Sequence, residues 1–172
     1  RDIAASLGGL TADGSWGRPS AATPGAANIA TLNSAIVINE IFYNPSTSAI
    51  PPRLEAEFIE LLNTSASPVP LYNVDYPELA WSLSGGVSYT FPTNLTLSPG
   101  EHLVITGTND LAGFRASWGI ATNVIVLGPW SNSLANEGDT IRLRVPNTPE
   151  PPSNIAARYV MDEVTYNDQL PW

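Results

Sequence analysis

The chain contains no cysteine, no lysine, one histidine and one methionine, and no apolar run long enough to span a membrane. Without cysteine there are no disulfides, thiolate metal sites or cysteine nucleophiles. An oxidising compartment permits disulfides without requiring them, so their absence does not decide location. Without lysine, 7 arginines carry all the positive side-chain charge against 16 acidic residues, giving a formal net charge of -9. Nucleic-acid backbones are bound through clusters of Lys and Arg, and such a surface is unsuited to them. It is equally unsuited to an anionic membrane. Heptads are missing too, which excludes a coiled-coil rod. The opening Arg1-Asp2 does not begin a signal peptide, and the expectation is an excised piece of a longer, exported protein.

What is present is loop chemistry between short apolar runs. Only 13% of the 172 residues are charged, while 16 prolines and 13 glycines leave little room for long helices. Residues 1–34 are small and polar, with no sustained period, and are expected to form a linker. The first and most apolar run is Ala35-Ile36-Val37-Ile38-Asn39-Glu40-Ile41-Phe42-Tyr43, closed by Asn44-Pro45, a strand with a polar pair at its middle. Glu55 to Asn63 is a second strand, bounded by Pro51-Pro52 and Asn63-Thr64-Ser65; it is too short for a stable helix despite its Glu, Ala and Leu.

Further runs follow at short spacing. Leu79–Leu83 and Val87–Phe91 flank Gly85-Gly86 and suggest a hairpin. Glu101–Thr106, Asn123–Leu127, Thr140–Val145 and Arg158–Tyr166 complete the series, and one short helix is expected between Asp110 and Trp118. The pattern predicts an all-β sandwich or barrel of about eight or nine short strands.

Candidate chemistry is sparse. His102 follows a Pro-Gly turn at a strand start; no Gly-x-Ser-x-Gly elbow accompanies it, and a surface histidine is the default over a catalytic one. Strict alternation puts Glu40 on one face with Ile38 and Phe42, Asn39 on the other, and Glu60 with Phe58 and Leu62. Glutamates on an apolar face are paired, capped by backbone donors or bound to a cation. Glu40 and Glu60 are therefore the candidates for a calcium site or an acid/base pair. The alternative is a structural carboxylate at Glu40 accepting loop N–H groups, favoured because no Asp-x-Asp-x-Asp loop occurs. A sugar-stacking surface could draw on Trp81, Tyr89, Phe91, Trp118, Trp130 and Trp172, although such residues more often belong to a core. Asn63-Thr64-Ser65 and Asn94-Leu95-Thr96 fit the N-glycosylation pattern.

The order of motifs resembles the lamin-tail domain in its bacterial, extracellular form. Ile38-Asn39-Glu40-Ile41 is followed by Glu57-Phe58-Ile59-Glu60-Leu61-Leu62-Asn63, Trp81-Ser82-Leu83, Phe91-Pro92 and Leu97-Ser98-Pro99-Gly100-Glu101. Leu134-Ala135-Asn136-Glu137-Gly138-Asp139 and Asp162-Glu163-Val164-Thr165-Tyr166 with Pro171-Trp172 complete it. The resemblance spans about residues 35–172 and implies an immunoglobulin-like β-sandwich without enzymatic activity or cofactor. Trp16 and Thr23-Pro24-Gly25-Ala26-Ala27-Asn28 look like the closing segment of such a domain. Residues 1–28 are therefore expected to be the tail of a preceding tandem copy, within a linker over residues 1–34 and ahead of the domain at 35–172. The resemblance implies a structural or protein-interaction module of an exported or cell-surface protein, with other domains of the same polypeptide or cell-surface proteins as partners. The alternative is an accessory domain binding carbohydrate or calcium. Nucleic-acid binding, filament formation and membrane insertion are not carried over.

Overall fold

The computed structural model describes residues 35–45, 57–149 and 156–169, together with the backbone at residues 9–10 and 16–17. The first two strands are short: β1 (Gly9–Leu10) and β2 (Trp16–Gly17) pair antiparallel, within the stretch expected to lack regular elements. Asp13-Gly14, a turn-favouring pair, lies between them in sequence. β2 contacts the last strand, β13 (Arg158–Asn167).

Two sheets make the domain. One has the order β10-β9-β4-β3, from β3 (Ile36–Phe42), β4 (Phe58–Asn63), β9 (His102–Thr106) and β10 (Ile125–Leu127). The other has the order β11-β7-β6-β12-β13, from β6 (Ser82–Ser84), β7 (Val87–Thr90), β11 (Ser131–Asn132), β12 (Gly138–Pro146) and β13. A small accessory ladder joins β5 (Val69–Pro70) to β8 (Thr96–Leu97). All eight strands expected from residue 35 onward are present, and β5, β8 and β11 are two-residue additions too short to leave a periodic signal.

Alternation fills the space between the sheets. Ile36, Ile38, Ile59, Leu61, Leu103 and Ile105 face Leu83, Val87, Ile141, Leu143 and Val145 in one buried cluster. Connecting segments add Leu71, Trp81, Phe91, Trp130 and Leu134, and β8 adds Leu97. Each fully buried Leu or Ile contributes about 1.5–3 kcal/mol relative to exposure, and this cluster dominates the fold's stability. The Gly85-Gly86 hairpin forms as expected, with Leu83 opposite Tyr89. At Gly85 (φ +115°) a Cβ would meet the Thr140 carbonyl oxygen at 1.9 Å, so no other residue fits where the hairpin crosses β12.

β10 runs parallel to β9. Parallel neighbours need a crossover, and α1 (Leu111–Trp118) supplies it, lying on the outer face of the first sheet. Asp110 caps the helix by accepting the Gly113 N–H at 2.9 Å, and Gly119 ends it in the left-handed conformation. Beneath it Phe58, Val104 and Phe114 form a second buried cluster, joined by Phe42, Trp118, Ile120, Val124 and Val126. This sheet is therefore covered on both faces.

The alternation inferred for β3 is corrected at one residue. Ile38 pairs with Leu61, but Glu40 pairs with Glu60, so Asn39 is an extra residue in a β-bulge. The bulge inverts the pattern: Ile36 and Ile38 point into the core before it, Ile41 and Tyr43 after it. Glu40 thus shares the outer face with Phe42 but not with Ile38. On the opposite edge of β3, the Ile38 N–H donates to Asp162 Oδ2 of β13 at 2.7 Å, tying the two sheets together.

Candidate functional site

The outer face of the first sheet brings the candidate carboxylates Glu40 and Glu60 together beside His102 and a cavity. Glu40 on β3 lies directly opposite Glu60 on β4. Glu60 Oε1 accepts from Asn39 Nδ2 at 2.6 Å and lies 2.9 Å from His102 Nδ1 on β9. The histidine contact has the distance of an ion pair without the alignment of a hydrogen bond. The sequence placed Asn39 on the opposite face; the bulge brings it to Glu60. The His102 side chain is 42% exposed and that of Glu60 18%, so the histidine sits at the mouth and the carboxylate inside.

Beside this polar group the sheet and α1 border an open cavity of about 240 Å³, with Phe58 and Phe114 at its base and Trp118, Ile120 and Val124 along its side. Trp118 packs edge-on against Phe42 and Phe58, with centroids 5.2 and 5.3 Å away. The loop wall is fastened by Arg115, whose Nη1 and Nη2 donate to the carbonyls of Ala121 (2.6 Å) and Val124 (2.7 Å). Sequence reading missed Arg115 because its partners are backbone carbonyls, which no side-chain spacing announces. Arg115→Ala is expected to loosen residues 119–124 and leave both sheets intact. Amide exchange would show it as faster exchange confined to that loop; unchanged protection there would contradict the role.

The other sequence candidates fall elsewhere. Among the described residues no group of three or more His, Asp or Glu side chains could hold a metal ion, and that includes the surroundings of Glu40 and Glu60. Trp81 and Trp130, 5% and 6% exposed, are core residues with Phe91, and Tyr89 packs partly buried against them. They form no platform with Trp118, which lies across the sheet in the second cluster. Trp172 lies outside the described residues. Asn63 is wholly buried, so its Asn-x-Ser triplet is not a surface acceptor, whereas Asn94 is exposed.

The structural carboxylate expected at Glu40 is found at Glu57 instead. Glu40 is exposed, whereas Glu57 Oε2 accepts the Leu134 N–H at 2.9 Å. Its main-chain oxygen takes the Gly107 N–H and the Thr106 hydroxyl. The Leu134–Asp139 loop is held further by the Tyr166 hydroxyl, which donates to the Ala135 carbonyl at 3.0 Å. Burial first, then the nearby charges of Asp139 and Glu57, push the Tyr166 phenol up to about 12.

Burial also raises the Glu57 carboxyl above its ordinary 4.5, against the opposing pull of the Leu134 N–H. The folded state therefore holds the Glu57 proton more tightly than the unfolded chain. Glu57's contribution to stability is complete below pH 4.5 and lost as pH rises through the elevated value. Glu57→Gln keeps an acceptor for Leu134 and removes the titration, so its melting temperature is expected to gain on the wild type as pH rises from 4 to 7. Glu57→Ala strands the Leu134 N–H and is expected to cost about 1–3 kcal/mol at low pH, with the deficit narrowing as pH rises. A constant difference between Glu57→Gln and wild type across that range would contradict the assignment.

Two packed sheets, a buried alternating core and one crossover helix define an immunoglobulin-like β-sandwich domain. The chain belongs to the Lamin Tail Domain family, whose model matches residues 30–168. A search of curated protein sequences found no match. The family's fold is that of structural and protein-interaction modules and is not an enzymatic one. Among the described residues no helix is long and apolar enough to cross a membrane.

Proposed function

We propose that this domain is a non-catalytic structural or protein-interaction module of a larger exported or cell-surface protein, with residues 1–34 linking it to a preceding copy. Its partners are other domains of the same polypeptide or cell-surface proteins. The observation that carries this reading is membership of the lamin tail family across most of the chain. The absence of lysine and the net charge of -9 support protein partners over nucleic acid or anionic lipid. Two of the side chains weighed for catalysis are engaged with each other: His102 contacts Glu60, which also accepts from Asn39. The test is turnover of chromogenic glycosides, esters and phosphates by the purified domain. None above background is expected, and turnover abolished by Glu60→Gln would overturn the reading.

A second reading, an accessory domain for carbohydrate or calcium, draws on the carboxylates and Trp118 around the outer-face cavity. Its test is ligand-dependent thermal stability.

A further inference from the structure

The geometry points to the outer-face cavity as a receptor for one basic side chain, Arg or Lys, presented by a partner protein. This rests on the interaction-module reading and gives it a place and a chemistry. Glu40 and Glu60 stand directly opposite each other across β3 and β4, an arrangement of like charges that destabilises a sheet unless a cation answers it. The chain's own cations are engaged elsewhere among the described residues. Arg142 pairs with Glu163, and Arg144 donates to Ser84. Arg158 donates to Ala80 and Ser82, and Arg115 to the loop carbonyls of Ala121 and Val124. Of the two glutamates, Glu60 has Asn39 and His102 at Oε1, while Glu40 is exposed at the mouth.

The rest of the cavity suits the same guest. Arg and Lys pair a long apolar stem with a charged head, and they bind best where the stem lies on apolar surface and the head meets an anion. Here the partly exposed Trp118, Ile120 and Val124 line the space beside Glu40 and Glu60. At about 240 Å³ the cavity falls below the roughly 300–1,000 Å³ of sites that engulf whole small molecules, and it suits a single side chain. The overall charge of -9 favours the encounter.

The probes are capped Gly-Arg-Gly and Gly-Lys-Gly, with capped Gly-Gln-Gly as the neutral control, titrated into the isotope-labelled domain and followed by amide shifts. Saturable shifts at Glu40, Glu60, His102 and Trp118 are expected for the two cationic peptides and none for the neutral one, with binding weakened by added salt. Glu60→Gln and the exposed Glu40→Gln are each expected to weaken binding about fivefold or more, with an unchanged wild-type-like spectrum elsewhere. Because Glu40 is exposed, its variant separates lost recognition from lost folding. No saturable shift up to tens of millimolar, equal binding of the glutamine peptide, or unaltered affinity in both variants would overturn the inference. A failed titration without turnover removes only this pocket's assignment; turnover abolished by Glu60→Gln removes the module reading itself.

Discussion

Asn63→Ala is expected to lower stability by roughly 3 kcal/mol, a fall of about 6–12 °C in melting temperature. Asn63 is fully buried, and its side chain satisfies four groups at one end of the sandwich. Nδ2 donates to the carbonyls of Ser67 and Leu97, both at 2.9 Å. Oδ1 accepts from the Ser65 N–H at 2.9 Å and the Ser65 hydroxyl at 2.8 Å. Its backbone also binds the Ser98–Glu101 turn, through Glu101 O and Gly100 N. Through its side chain and backbone together, this one residue joins the end of β4 to two turns and to β8. Alanine strands a buried carbonyl at Leu97 and leaves the Ser65–Ser67 turn without its anchor. Asn63→Asp sharpens the test, because a carboxylate there faces two carbonyl oxygens. Its folded-state pKa must rise, so the variant is expected to be least stable at neutral pH and to recover as pH falls. A loss below about 0.5 kcal/mol for Asn63→Ala would show that the turns hold themselves.

Phe114→Ala carries the other large effect, about 3–5 kcal/mol. Phe114 has no solvent exposure and is the keystone between α1 and the sheet, edge-on to Phe58 with centroids 6.1 Å apart. Its removal leaves a cavity under the helix, and eight residues of α1 have little helical stability of their own. The main core does not include Phe114, so the loss is expected to show first as release of the helix. Trp118 fluorescence would then shift to the red at a lower temperature than the loss of β-sheet signal. A single coincident transition at the wild-type temperature would contradict this division into two clusters.

Much of this architecture was legible in the sequence. The eight longer strands carry β-branched alternation between Gly, Pro and Asn turns, and α1 carries an Asp cap and a glycine stop. The bulge was not legible, because Ile36, Val37, Ile38, Ile41 and Phe42 are all apolar and fit either register. One extra residue at Asn39 decides which side of the sheet Glu40 occupies, and only pairing with β4 reveals it. The parallel β9–β10 pair was likewise hidden, since strand direction is set by where the crossover helix docks. The tryptophans could not be told apart for a simpler reason: large aromatics more often fill a core but also serve a surface, and nothing in their spacing says which. Trp81 and Trp130 fill the core, while Trp118 alone of the three lines the cavity. Glu57 and Glu40 could not be ranked as structural carboxylates from sequence, because the deciding donor, the Leu134 N–H, comes from 77 residues away.

Thermal melting distinguishes a module that works through protein contacts from one that works through a bound ion or glycan. The domain is melted in excess chelator, in millimolar calcium and with soluble polysaccharides. A ligand that binds only the folded state raises the midpoint by RT ln(1 + [L]/Kd) in free energy. Superimposable curves are the predicted result. A rise of several degrees with calcium or a polysaccharide would overturn the protein-contact reading in favour of an accessory domain for that ligand.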